Sequence, residues 1–425
     1  MRDYFIRRLL LIPPTLLGIT VLAFCVTRLA PGGPLEQAVQ SMRQMSEDGS
    51  SAGDGGTDQA ISEEQMEELR RLYGYDKPIF HAYLIWLGVL QREVGFKLID
   101  FDDGAMSART RVRIQRDSDS REKQTIKLKR YVTGYVEISN PEQVTGKWHV
   151  QMRSPNPEKP NKPPAAELFQ RKFSGVLQGN FGKSFRYGEP VVKVITERLS
   201  ISSYFGLLTF IITYAVCIPL GIFKAVRHNT WMDNSSSVLI FIGYAVPGYA
   251  LGSLLLLFFS VEMEWLPMGG LTSIDHDELS AWGKLADLAA HTFQPLCCYL
   301  IGSFAFVTML MKNHLMDNLA ADYVRTAMAK GVTFKNAVRK HALRNSLIPI
   351  ATNVGHQITL FVAGSFLIET IFDIDGFGLL GFNSVIDRDI PVVMGVLLLS
   401  ATLMLLGNIL SDLLVALVDP RVRFN

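Results

Sequence analysis

Cysteine is scarce in this 425-residue chain: the four present, Cys25, Cys217, Cys297 and Cys298, all fall inside long apolar runs. The hydrophilic stretch from residue 35 to about residue 200 holds none, so no disulfide framework can brace it. The vicinal pair Cys297–Cys298 is followed by no His or acidic residue at a useful ligand spacing, which makes packing a better reading than metal or redox chemistry. An excess of either charge is missing too, with 42 Lys/Arg against 40 Asp/Glu and a net of +2. Catalytic signatures are lacking as well: there is no H-E-x-x-H zinc motif and no G-x-S-x-G nucleophile turn. Residues 179–184 read GNFGKS, close to the end of a phosphate loop. The first glycine of G-x-x-x-x-G-K-[ST] would have to stand at position 177, which is Leu177. That segment reads as a turn, and no resident enzymatic chemistry is expected.

Charge is also missing locally. Charged residues make up 19% of the chain, yet six stretches contain none: residues 9–27, 201–223, 235–261, 292–311, 346–368 and 390–411. A helix needs about 20 apolar residues to cross a bilayer core. The expected fold class is therefore an all-α polytopic membrane protein with six transmembrane helices and a large extracytoplasmic loop containing a small α+β insert. The run at 346–368 is the most polar, and its Asn353, His356 and Gln357 are expected to face protein or water. No span carries the central acidic residue that a proton-coupled carrier commonly uses; Glu369, Asp373 and Asp412 fall near span ends. The first run is longer than a secretory signal core and no clear small-residue cleavage site follows it, so it reads as a retained span, kinked near Pro13 and Pro14.

Six spans put both termini on one side. Arg2, Arg7 and Arg8 precede the first span, Arg421 and Arg423 follow the last, and residues 312–347 hold seven Lys/Arg against two Asp. The loops at 262–291 and 369–389 hold one Lys/Arg each, Lys284 and Arg388. Positive residues stay cytoplasmic, which assigns both termini and the 312–347 segment to the cytoplasm.

Residues 35–56, rich in Ser, Gly and acids, are expected to be largely loop or disordered. Residues 62–73 carry a capping signature and helical spacing, and residues 81–91 read as a second helix. Between 92 and 172 there are 17 Lys/Arg and 11 Asp/Glu, with alternating runs at 125–138 and 147–152 that predict short strands. A proline-rich tether follows at 155–164. In the spans, Pro219 and Pro247 stand out, and Pro247 within GYAVPGYALG is a candidate to line a translocation pathway, as is Glu369; tight helix packing is the alternative.

The stretch 320–349 reads AADYVRTAMAKGVTFKNAVRKHALRNSLIP. Ala320, Ala321, Val324, Ala327 and Met328 fall on one helical face. Gly331 can end that helix in the left-handed conformation, and Thr333 can cap a second helix carrying Phe334, Val338 and Ala342. This is a short basic helix–Gly–helix elbow between two long apolar segments, so it protrudes from the membrane.

These residues resemble a family. T-A-M-A-K-G (Thr326 to Gly331) followed by H-A-L-R-N-S-L-I-P (His341 to Pro349) is similar to the cytoplasmic signature of permease subunits of ATP-binding-cassette importers, in the oligopeptide/dipeptide branch. IRRLLLIPPTLLGITVLAF with LAPGGP, YGYDKP at 73–78, GKSFRYGEP at 182–190, residues 364–378 and the ending VDPRVRF match the same branch; APGGP with VDPR is most like its YejB-type members. Where the wider superfamily has Glu-Ala-Ala, this chain has Arg325, Thr326 and Ala327. The segment 92–172 has no recognised counterpart in the branch.

The resemblance implies a six-helix permease of the type I importer kind: an N-terminal tail and first span at 1–30, a periplasmic loop at 31–200, and a five-helix core at 201–425 with its coupling elbow at 320–345. It implies import of peptides or peptide-like compounds across a bacterial inner membrane. Expected partners are a second homologous permease, two ATP-binding-cassette ATPase domains, a periplasmic solute-binding protein and lipid, and no nucleic acid. The chain itself is expected to hold no cofactor, ATP being bound by partner subunits, and no metal. Arg325, Thr326, Ala327, Lys330 and Gly331 are the expected ATPase-coupling residues. The competing class is a self-contained carrier or channel; a membrane-anchored sensor is a third, and no cytoplasmic signalling domain is expected in this chain.

Overall fold

The computed structural model describes residues 2–29, 76–101, 106–117, 120–131, 135–143, 147–152 and 165–418. The expected loop at 35–56, the helix at 62–73 and the tether at 155–164 lie outside the described residues, as do the APGGP motif and all but Val418 of the C-terminal ending. The chain divides into two compact units, residues 28–182 and residues 1–27 with 183–425. The second unit resumes at Lys183 and not near residue 200, because Ser184 and Arg186 are bonded to Asp389 and Asp387.

The first unit contains helix α2 (Ile79–Leu87), four residues shorter at its end than the 81–91 pattern suggests, because Gly88 closes it at φ +89. Six strands follow: β1 (Arg92–Asp100), β2 (Ser107–Asp117), β3 (Ser120–Arg130), β4 (Val136–Ile138), β5 (Trp148–Met152) and β6 (Ala165–Lys172). They form two three-stranded antiparallel sheets, in the orders β1-β6-β5 and β2-β3-β4. Alternation along β3 explains the core: Ile126 and Leu128 are buried between exposed Thr125, Lys127 and Lys129, and they pack with Ile99, Phe101, Val136, Ala166 and Leu168. The expected α+β insert is β-structured among its described residues, with one short turn of helix at Pro141–Gln143. The single run foreseen at 125–138 is two strands.

The other unit is helical: α1 (Arg2–Leu29, whose last two residues fall to the first unit), α3 (Val191–Val226), α4 (Trp231–Ala245), α5 (Gly248–Leu255, prolonged by a wide turn at Leu256–Glu262), α6 (Ala281–Ala320), α7 (Asp322–Ala329), α8 (Phe334–Ala337), α9 (Leu343–Ala363), α10 (Phe366–Ile371), α11 (Phe377–Ile386) and α12 (Ile390–Val418). Among the described residues four helices, α1, α3, α6 and α12, are long and apolar enough to cross a membrane, and a fifth if α4 and α5 count as one span. The described residues thus contain four such helices, or five, against the six spans expected. The run 235–261 is bent by 89° between α4 and α5. Pro247 has no N–H for the ladder and holds Val246 extended (φ −88, ψ 119). The run 346–368 breaks after Ala363, where Gly364 takes φ +71.

Where α9 crosses α12 the backbones touch. A Cβ on Gly355 would lie 1.7 Å from the carbonyl oxygen of Gly407. The Gly355 N–H donates to Ser411 Oγ at 2.8 Å, and that hydroxyl donates to the Thr352 carbonyl at 2.7 Å. Small residues permit such a crossing, and in the absence of water its polar groups serve each other. Tyr4 and Arg8 both reach Asp412, and Arg344 Nε donates to the Val418 carbonyl at 2.9 Å. These contacts bring the start of α1, the end of α12 and the start of α9 to one end of the unit.

Candidate functional site

The elbow begins where α6 stops at Ala320. Ala321 is extended (ψ 145), which redirects the chain into α7. Val324 is fully buried and packs with Ala225, Met311, Leu315, Ala337, Ala342 and Ile350, so one side chain seats α7 on the ends of α3, α6 and α9. Tyr323 donates its hydroxyl hydrogen to Asn318 Oδ1 at 2.5 Å and accepts from Asn345 Nδ2 at 3.1 Å, tying α7 to both flanking helices. Gly331 then turns the chain at φ +90, and a Cβ there would meet nothing within 4 Å. The requirement for glycine is conformational, not steric.

Thr333 stands at the N-cap of α8 in extended geometry, but its side chain makes no capping hydrogen bond. Val338 and Ala342 are buried as the spacing predicts, whereas Phe334 is 49% exposed. Of the residues expected to couple, Arg325, Thr326, Lys330 and Gly331 are exposed and Ala327 is half-buried. With exposed Tyr323, Met328 and Phe334, the elbow presents an apolar–basic outer surface on a rigidly seated base.

Behind the elbow lies a charge cluster that the sequence does not reveal. Lys224 of α3 is 0% exposed, Asp233 of α4 is 1% exposed and Lys312 of α6 is 8% exposed. Lys312 Nζ reaches both carboxylate oxygens of Asp233, at 2.7 and 2.9 Å. Lys224 Nζ lies 3.1 Å from Asp233 Oδ1 and donates to the Asp233 carbonyl, Ser236 Oγ and Ser237 Oγ at 2.7–2.8 Å. The Asn229 N–H adds a bond at 3.2 Å and His228 Nδ1 lies 3.3 Å away. Each lysine stands one position beyond an apolar run, where the sequence alone suggests a solvated flank. Removing one partner of such a buried pair costs about 3–5 kcal/mol.

At the opposite end, α3 is clasped to the segment between α9 and α12. Glu369, expected from sequence to lie near the pathway, is buried. Its Oε1 accepts from Ser202 Oγ at 2.9 Å and its Oε2 from the Leu379 N–H at 2.5 Å. Gly364 and Gly376 leave room for it: a Cβ on Gly376 would come within 2.4 Å of the carboxylate carbon. Burial pushes the Glu369 carboxyl above its ordinary range, against the pull of the Leu379 N–H and the Ser202 hydroxyl. Ser202 Oγ also accepts from the Phe377 N–H at 2.7 Å. Arg198 forks onto Asp375 with two contacts of 2.8 Å, Arg186 pairs with Asp387, and Ser184 Oγ donates to Asp389 Oδ2 at 2.5 Å. The GKSFRYGEP stretch is therefore one jaw of a clasp, and its lysine-serine pair takes no part in a phosphate loop. Pro247, the other candidate pathway residue, is exposed at the α4–α5 bend.

Among the described residues no group of three or more His, Cys, Asp or Glu could hold a metal ion. Residues 217–424 match the family described as binding-protein-dependent transport system inner membrane component. The chain is 32% identical to the peptidoglycan transport system permease protein YejB of Agrobacterium fabrum, over 100% of this chain and 99% of that protein. It is 31% identical to the inner membrane ABC transporter permease protein YejB of Escherichia coli O157:H7, over 100% and 99%. It is 27% identical to the oligopeptide transport system permease protein AppB of Bacillus subtilis, over 100% of both.

Proposed function

This chain belongs to the binding-protein-dependent permeases of ATP-binding-cassette importers, peptide branch, and from that premise we propose that it is the membrane half of an importer moving peptides or peptide-like compounds from periplasm to cytoplasm. The observation that carries the reading is the elbow: a seated, outward-facing helix turned by Gly331 at φ +90 between two long helices. A separate ATPase subunit would grip the exposed Arg325–Gly331 surface, with Ala327 allowing close approach and Arg325 and Lys330 supplying polar contacts. Closure of the ATPase pair on ATP would displace the elbow and switch the spans between inward- and outward-facing states. A homologous permease would complete the pathway, and a periplasmic binding protein would deliver the cargo. Two of the relatives, a peptidoglycan and an oligopeptide transport permease, support peptides or peptidoglycan-derived peptides as the substrate class.

Detergent-solubilised protein purified from its native membrane is expected to bring down an ATP-binding-cassette subunit, and Gly331→Trp to reduce that yield. Transport by this chain alone in vesicles, with no ATPase recovered at any stage, would establish a self-contained carrier instead.

A further inference from the structure

Among the residues of α4, Asp233 alone is buried, while Leu239, Phe241, Ile242 and Tyr244 are exposed. The inner arm of the bent span is therefore fastened at its base mainly through charge. Lys312, which grips both oxygens of Asp233, lies on α6 only eight residues before Ala320, where the elbow begins; at 1.5 Å per residue that is about 12 Å. Lys224 brings in the end of α3. Beyond the 89° bend, the outer arm packs on the same helix without any charge, Gly248 and Gly252 of α5 lying against Cys298 of α6 and Gly252 also against Phe372. Two lysines on one carboxylate leave the cluster with a net positive charge. Stability alone does not call for such a cluster, because apolar groups of similar volume commonly serve as well or better in its place.

We infer that Asp233, clamped between Lys224 and Lys312, is a positioning residue of the coupling step, fastening the inner arm of the bent span to the elbow-bearing helix so that displacement of the elbow is carried into that span. The inference rests on the importer reading above.

The test uses the whole complex reconstituted in vesicles, with an isotope-labelled peptide digest as transport probe and ATP hydrolysis measured in parallel. Three forms are compared with wild type: Asp233→Asn, the apolar replacement Lys224→Met/Asp233→Leu/Lys312→Met, and Asp233→Glu. The first two are expected to assemble and hydrolyse ATP close to the wild-type rate while peptide taken up per ATP falls about tenfold or more. Asp233→Glu, which keeps the charge, is expected to recover uptake per ATP. Wild-type uptake per ATP in the apolar replacement would overturn the inference. Failure of all three forms to assemble would overturn it too, since the cluster would then be a folding element only. A wild-type chain that recruits no ATPase, or takes up probe without ATP, refutes the importer reading instead, and the wild-type control alone reveals that outcome.

Discussion

Gly331 sits at φ +90 with open space where a side chain would go. An alanine there fits sterically but must hold a left-handed backbone, at a cost of about 1–2 kcal/mol. Gly331→Ala is therefore expected to lower ATP-driven uptake while the amount of membrane-inserted protein stays near wild type, and Gly331→Asn to be milder because asparagine tolerates that conformation. Uptake normalised to immunoblotted protein separates the two effects. This residue was legible in sequence, since a glycine between two helical patterns has few other uses. Asp233 was not: its partners lie 9 and 79 residues away, and neither separation is a helical repeat.

Elements show the same division. The apolar runs mark four long helices correctly, and the alternation in residues 125–130 marks a strand, because periodicity reports which face is buried. What periodicity misses is where a helix stops for tertiary reasons. The α9–α10 break needs Gly364 in a left-handed turn beside the Glu369 carboxylate, 2.2 Å from where a Cβ would stand. Glu369→Ala leaves the Leu379 N–H and the Ser202 hydroxyl short of an acceptor, each a loss of about 1–3 kcal/mol. The expected outcome is faster proteolysis of the segment between Gly364 and Asp389 in detergent, with the fragment ends read by mass spectrometry; cleavage at the wild-type rate would show the clasp to be dispensable.

At the scale of the helical unit, the contacts of Tyr4, Arg8 and Arg344 with α12 gather the start of α1, the end of α12 and the start of α9 at one end, and the expectation from the distribution of positive residues is that this end faces the cytoplasm. Single cysteines test this. Cys217 and Cys298 are buried and Cys25 and Cys297 half-buried, so the native thiols give little background. Ile274→Cys, fully exposed in the loop before α6, should react with a membrane-impermeant maleimide from outside intact spheroplasts. Lys330→Cys should react only after permeabilisation, and the reverse pattern would invert the topology.

By itself the sequence determined where four long apolar helices lie, that the described parts of the insert between 92 and 172 form strands, and where the elbow turns. Each of these follows from local composition, periodicity or backbone sterics. Only the tertiary structure decided that the span at 235–261 bends and that the run at 346–368 ends early at Gly364. It also decided that Ser184, Ser202 and Arg198 clasp the segment between α9 and α12, and that Lys224, Asp233 and Lys312 share one buried site. The reason is that a charged or hydroxyl side chain withdrawn from water must find a partner, and in the clasp those partners stand up to 205 residues apart.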